Sequence, residues 1–120
     1  MIRIALLSAA LASPVAADDL FTVGTAEVVL SFAPTDVAAV AGGPGDGAVS
    51  VQLTEDAALR FGAFTRDHLG ERIRVTRCGR TIMRPVIHDA IFGGTLLLTV
   101  AEGMSAQTLR DEIAGAAPCP

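Results

Sequence analysis

Alternation of apolar and polar positions is clearest at Val49-Ser50-Val51-Gln52-Leu53, where a period of two marks a strand buried on one face. Directly after it the period changes. Ala57, Phe61, Phe64 and His68 recur at three- and four-residue steps, with Ala58, Thr65 and Leu69 alongside, which predicts an amphipathic helix that turns Phe61 and Phe64 toward a sheet. Thr54 supplies an N-cap oxygen, Glu55 and Asp56 place negative charge where the helix dipole favours it, and Gly70 tolerates the left-handed conformation that ends the helix. Alternation returns over Arg72 to Arg77, with Ile73 and Val75 inward and Arg72, Arg74 and Thr76 outward. Cys78-Gly79-Arg80 then turns the chain into Thr81 to Ile87, so the two runs predict an antiparallel hairpin.

Pro85 cannot donate a ladder hydrogen bond and marks a bulge or an edge position. Gly93-Gly94 leads into another strand over Thr95 to Val100, and Ser105 caps a last helix whose Ala106, Leu109, Ile113 and Ala116 share a face before Pro118 ends it. Upstream, Thr25 to Phe32 carries the β-rich run Val28-Val29-Leu30 and reads as a first strand. Asp36 to Gly47 closes on Gly42-Gly43-Pro44-Gly45-Asp46-Gly47 and reads as an exposed loop. Strand, strand, helix, hairpin, strand, helix is the order of an α+β fold: a small antiparallel sheet with two helices packed on one face.

The extreme N-terminus follows a different logic. Arg3 precedes an apolar run too short for a membrane helix, and Ser13-Pro14-Val15-Ala16-Ala17 supplies small residues ahead of Asp18-Asp19. Residues 1–17 therefore read as a signal peptide, with Val15 and Ala17 at the −3 and −1 positions of its cleavage site and no cysteine placed for lipidation. Its removal leaves a single domain over 18–120, about 100 residues, with its core in 49–116. The expected location is the periplasm. Hydrophobic residues make up 51% of the chain, yet the part after the leader holds no apolar run long enough to span a bilayer, and Leu96-Leu97-Leu98 is better read as a buried strand.

Every one of the nine basic residues is arginine, and the formal charge is −4. A net acidic domain with five Phe and no Trp or Tyr has neither the electrostatic footprint nor the stacking platforms of a nucleic-acid binder. In an exported chain, Cys78 and Cys119 are most simply one disulfide, worth roughly 4 kcal/mol on loop-entropy grounds; two unpaired thiols are the alternative. Without Cys-x-x-Cys, thiol redox catalysis lacks its motif.

Chemistry-bearing patterns are otherwise missing. His68 and His88 are isolated, no cysteine pair has zinc spacing, and Ser31, Ser50 and Ser105 lack a Gly-x-Ser-x-Gly frame. The Gly43 to Gly47 stretch leads into a strand where a phosphate cradle would open a helix. Glu55-Asp56 and Asp111-Glu112 are helix neighbours suited to dipole and solubility roles. No cofactor or metal is expected. One feature departs from this background: Arg72, Arg74, Arg77, Arg80 and Arg84 gather around one hairpin of an acidic protein. A solvated sheet face accounts for them, and so does a patch that pairs with carboxylates or phosphates.

Over Val49 to Ala116 the chain resembles the periplasmic head subdomain of SecD, an accessory subunit of the bacterial protein-export machinery. Val51, Leu53, Thr54, Phe61, Phe64, Thr65, Gly70 and Arg72 match its strand–helix phrase, and Gly79, Ile82, Pro85, Ile87, Ile91, Gly93 and Gly94 match the hairpin and the Gly-Gly turn that follows it. The sequence departs from the pattern at Leu98-Thr99-Val100 and the lead through Glu102-Gly103, and neither cysteine belongs to it. The resemblance implies contact with exported polypeptides and no catalysis; lacking the membrane segments of SecD, the chain is not expected to be proton-driven. A polypeptide-binding accessory module and an envelope protein that docks one folded partner, or an anionic ligand, through the Arg-rich hairpin are the two functions to separate, with strand addition at a hairpin edge the route for the first. An enzyme is the third and has no site to recommend it.

Overall fold

Phe21 and Val23 alternate with polar Thr22, and this short run is the first strand among the described residues. In a computed structural model of the chain, which describes residues 19–43, 47–100 and 103–119, β1 (Phe21–Gly24) pairs antiparallel with β2 (Val29–Phe32). The expected strand from Thr25 to Phe32 is thus half turn and half strand. The Thr25 hydroxyl accepts hydrogen bonds from the backbone N–H groups of Glu27 and Val28 at 3.2 and 3.1 Å, which bends the chain before Val29. The expected signal peptide lies outside the described residues.

A second correction concerns the stretch read as a loop. Val37–Gly42 is a strand, β3, paired with β4 (Ala48–Leu53). Its small, mostly exposed residues show no period of two because the register shifts between Val37 and Ala39, so that Val37 and Val40, three residues apart, both pack on the core.

Helix α1 (Glu55–Asp67) begins as the sequence implies: the Thr54 hydroxyl accepts from the Ala57 N–H at 3.3 Å, with Glu55 and Asp56 in the first turn. Phe61 and Phe64 are buried. The hairpin is β5 (Arg74–Arg77) and β6 (Arg80–Met83), joined by Cys78 and Gly79 at φ of 53° and 78°, the positive values a two-residue turn demands. β7 (Thr95–Thr99) and α2 (Ala106–Ala114), the latter capped by Ser105, complete the fold.

The class is α+β with antiparallel pairing, but the strands divide between two sheets where one was expected. Their orders are β2-β1-β5-β6 and β3-β4-β7. The break falls between β6 and β7, consecutive in sequence but unpaired; alongside β5, pairing runs on past the register shift between Val75 and Thr76 and past Pro85 as far as the Arg72–Val86 bridge. Helix α2 packs on β3 and β4, whereas α1 reaches β2 as well as β4 and so bridges the two sheets. Both sheets and both helices share one core. Phe21 stacks on Phe32 with ring centroids 5.0 Å apart, Phe61 meets Phe32 edge-on at 6.1 Å, and Val49, Val51, Leu96 and Leu98 close it from the second sheet.

Candidate functional site

Because the sheets do not join, each ends in an edge strand, β6 on one and β7 on the other; the two meet where Thr99 approaches Met83, and a groove opens beside them. In the β4–β7 pair, Leu53 N–H donates to Gly94 O at 2.7 Å and Val100 N–H to Gly47 O at 2.9 Å. The alternation of an antiparallel ladder then assigns the backbone groups of Leu96 and Leu98 to β4, and those of Thr95, Leu97 and Thr99 to the free edge. Thr99 N–H donates to Met83 Sδ at 3.2 Å, which closes one end of the gap. Thr95 and Leu97 have no partner for their outward N–H and C=O groups among the described residues.

Beside this edge the groove holds about 290 Å³ and is mostly apolar: Val23, Val75 and Met83 from the first sheet with Ile73 just before β5, Leu96 and Leu98 from the second sheet, Phe61 from α1, and the connection from Pro85 to Ile91 as its wall. His88, Asp89 and Thr95 are its polar members. At the lower end of the size range of ligand pockets, it suits one or two aliphatic side chains.

The wall is held in place residue by residue. Ile73 N–H donates to Pro85 O at 2.9 Å, Gly70 N–H to Ile87 O at 2.7 Å, and Ile87 N–H to Glu71 O at 2.9 Å. Thr65, fully buried, donates its hydroxyl to Gly62 O at 2.9 Å and accepts from Ile91 N–H at 2.8 Å, tying the wall to α1. The Phe92 ring lies across Gly62, where any Cβ would overlap it. Gly94 combines a φ of +82° with close approach to Gln52 and Ala58. Thr65, Gly70, Pro85, Ile87 and Gly94 thus converge on one structural task, and Gly79 forms the hairpin turn; nothing in the structure demands glycine at Gly93.

The five hairpin arginines do not form one patch. Arg77 is 5% exposed: its Nη1 donates to Leu20 O at 2.9 Å, Nη2 to Ala117 O at 2.8 Å, and Nε to Glu112 Oε1 at 3.3 Å. It is a clamp between both ends of the described chain and unavailable to a partner. Arg80, opposite Arg77, lies on the α2 side near Glu112 and Leu109. Arg72 and Arg74 are on the outer face, where Arg72 Nη1 donates to Arg84 O at 2.8 Å. Cys78 and Cys119 are joined in a disulfide, which fixes the C-terminal segment beside the Arg77 clamp.

His68 Nδ1 lies 3.1 Å from Glu71 and its ring packs on Phe64, and no group of three metal-ligating side chains occurs among the described residues. No helix among those residues is long and apolar enough to cross a membrane. What the site offers is main chain: two unpaired rungs of a sheet edge beside an apolar trough. The sequence concealed this, because Leu96-Leu97-Leu98 reads as a uniformly buried run although Leu97 is 45% exposed. Gly62 and Met83 also escaped notice, the first hidden in a helix, the second in an edge strand.

No family model matches the chain. Protein translocase subunit SecDF of Thermus thermophilus is 36% identical over 77 residues, 60% of this chain; those residues amount to 10% of that relative's length. Two solved structures of SecDF share the fold. One, described as a membrane component that enhances protein export, superposes with a TM-score of 0.58 at 30% identity, covering 69% of this chain and 38% of that one. The other, SecDF in its super-membrane-facing form, gives 0.56 at 29% identity over 69% of this chain and 11% of the other.

Proposed function

The fold is a SecD head-like domain, and from that premise we propose that the protein is a non-catalytic, export-related accessory module that holds extended polypeptide segments in the periplasm after removal of residues 1–17. The observation that carries this reading is the unpaired edge of β7 at Thr95 and Leu97, set beside the apolar groove. An extended segment added there pairs its main chain with Thr95 and Leu97 and drops alternate side chains between Leu96, Leu98 and Met83. Main-chain pairing is indifferent to sequence, as binding many clients requires.

Leu97→Pro is the test. At this position proline removes only the outward N–H and spares the ladder to β4. Titrating the protein with an unfolded, labelled exported polypeptide is expected to give saturable binding that Leu97→Pro weakens about tenfold, the equivalent of one or two net main-chain hydrogen bonds. Absence of binding at tens of micromolar, or full affinity in the proline variant, counts against the reading. Co-purification of one stoichiometric partner, in place of a mixture of clients, supports the alternative of a dedicated partner docking at the arginine-bearing hairpin.

A further inference from the structure

Each of Arg60, Arg66, Arg77 and Arg110 lies within 4.0 Å of a carboxylate, whereas Arg72, Arg74, Arg80 and Arg84 have none among the described residues. Three of these four share a place. Val75 pairs with Met83 and Arg72 with Val86, and the same register sets Arg84 opposite Arg74 on the outer side of the first sheet, with the Arg72 guanidinium bonded to the Arg84 carbonyl. The neighbouring outward positions, Thr22, Ser31, Thr76 and Thr81, form a row of hydroxyls across all four strands with no acid among them. Like charges directly opposite one another on a sheet destabilise it, so this grouping works against the fold unless an anion joins it.

Its position says which anion. Arg84 immediately precedes Pro85 and Val86 of the groove wall and is the arginine nearest the groove, with Arg74 opposite it on β5 and Arg72 opposite Val86, all on the outer side. A strand laid along the free edge of β7 sends alternate side chains into the groove and the others out on the side of the arginines. From this we infer that the groove selects extended segments in which apolar residues alternate with Asp or Glu, the apolar ones filling the trough and the carboxylates meeting Arg72, Arg74 and Arg84. The inference rests on the strand-addition reading of the groove and adds to it a sequence preference. Guanidinium groups suit it, since their fork matches a carboxylate bidentately.

Fluorescence polarisation on the full chain with three short labelled peptides separates the outcomes: alternating Val and Asp, Val and Ser, and Val and Lys. The expected order is Asp over Ser over Lys, with the Asp peptide about tenfold tighter than the Ser peptide at low ionic strength and the gap closing in high salt. Combining Arg72→Ser, Arg74→Ser and Arg84→Ser on this exposed face is expected to abolish the Asp preference and leave the Ser peptide unchanged. Equal affinity for Asp and Ser peptides, or a preference that survives the triple variant, overturns the acidic selectivity while strand addition stands. If no peptide binds, strand addition itself fails and the selectivity falls with it. Salt-sensitive, arginine-dependent capture of phosphatidylglycerol vesicles without any peptide preference assigns the arginines to a lipid surface and likewise overturns the inference.

Discussion

Replacing Arg77 by Met approximates the apolar stem of the side chain and removes the three contacts of a buried guanidinium. Hydrogen bonds to a charged group contribute about 1.5–3 kcal/mol each, but the three acceptors differ in what they do afterwards. Leu20 is 3% exposed, so its carbonyl is left without a donor, at a cost of about 1–3 kcal/mol. Ala117 is half-buried and rehydrates, which reduces its share to about 1 kcal/mol. The Glu112 side chain is 45% exposed and returns to water for less than about 1 kcal/mol. Against these losses, an apolar side chain escapes the desolvation that Arg77 suffers, so the net loss is about 3 kcal/mol, a large part of the ~5–15 kcal/mol that holds a small domain together. Urea unfolding with the disulfide intact measures it as a fall in the midpoint at constant slope. Arg74→Met, on the outer face, is the control and is expected to stay within about 0.5 kcal/mol of wild type. A loss below about 1 kcal/mol for Arg77→Met, or one matching the control, would show that the clamp does not hold the two chain ends as argued.

Three further outcomes follow from the same frame. Replacing Cys78 and Cys119 together by Ser opens a link between residues 41 apart and is expected to lower stability by about 4 kcal/mol, read by thermal unfolding under non-reducing conditions. Thr65→Val leaves the Ile91 N–H without its acceptor and is expected to lose about 1–3 kcal/mol in urea unfolding and to weaken peptide binding several-fold; Thr65→Ser restores both, and failure of that rescue would mean the hydroxyl is not what holds the wall. Gly62→Ala displaces the Phe92 ring and is expected to increase amide hydrogen exchange over residues 91–94 while leaving α2 unchanged.

The parts of the fold legible in the sequence are those where one local signal and the tertiary packing agree. Thr54 caps α1 and Ser105 caps α2, the Cys78-Gly79 turn needs positive φ, and Val49, Val51 and Leu53 alternate because one face of β4 is buried. What was missed has the opposite character. β3 hides its two core valines behind a register shift, and β1 is too short for alternation to stand out beside the more β-rich Val28-Val29. Arg77 breaks the rule that outward residues follow alternation with polarity: it sits on the inward side of β5 in phase with Val75 and is tolerated there because three oxygens surround it. Nothing in the order of residues announces those oxygens, since Leu20, Glu112 and Ala117 lie far away in the chain.

The division into two sheets is also what gives the motif residues their meaning. Had β6 paired with β7, the strands would run on into one sheet, the Pro85 to Ile91 connection would be an ordinary loop, and no main-chain groups would remain free at Thr95 and Leu97. Keeping the two edges apart requires something to stop them from closing, and Thr65, Gly70, Ile87 and Gly94 serve that end by tying the connection to α1, to the chain before β5 and to β4. The residues on which the SecD resemblance rests therefore fix the shape of the trough, and in the proposed strand addition a segment at β7 would be recognised there through its main chain. Selectivity then has to come from side chains on the outer side, and of the three arginines grouped there only Arg72 falls within the matched motif. Two relatives can on this account share the groove and differ in the clients they prefer, according to what they carry at the positions of Arg74 and Arg84.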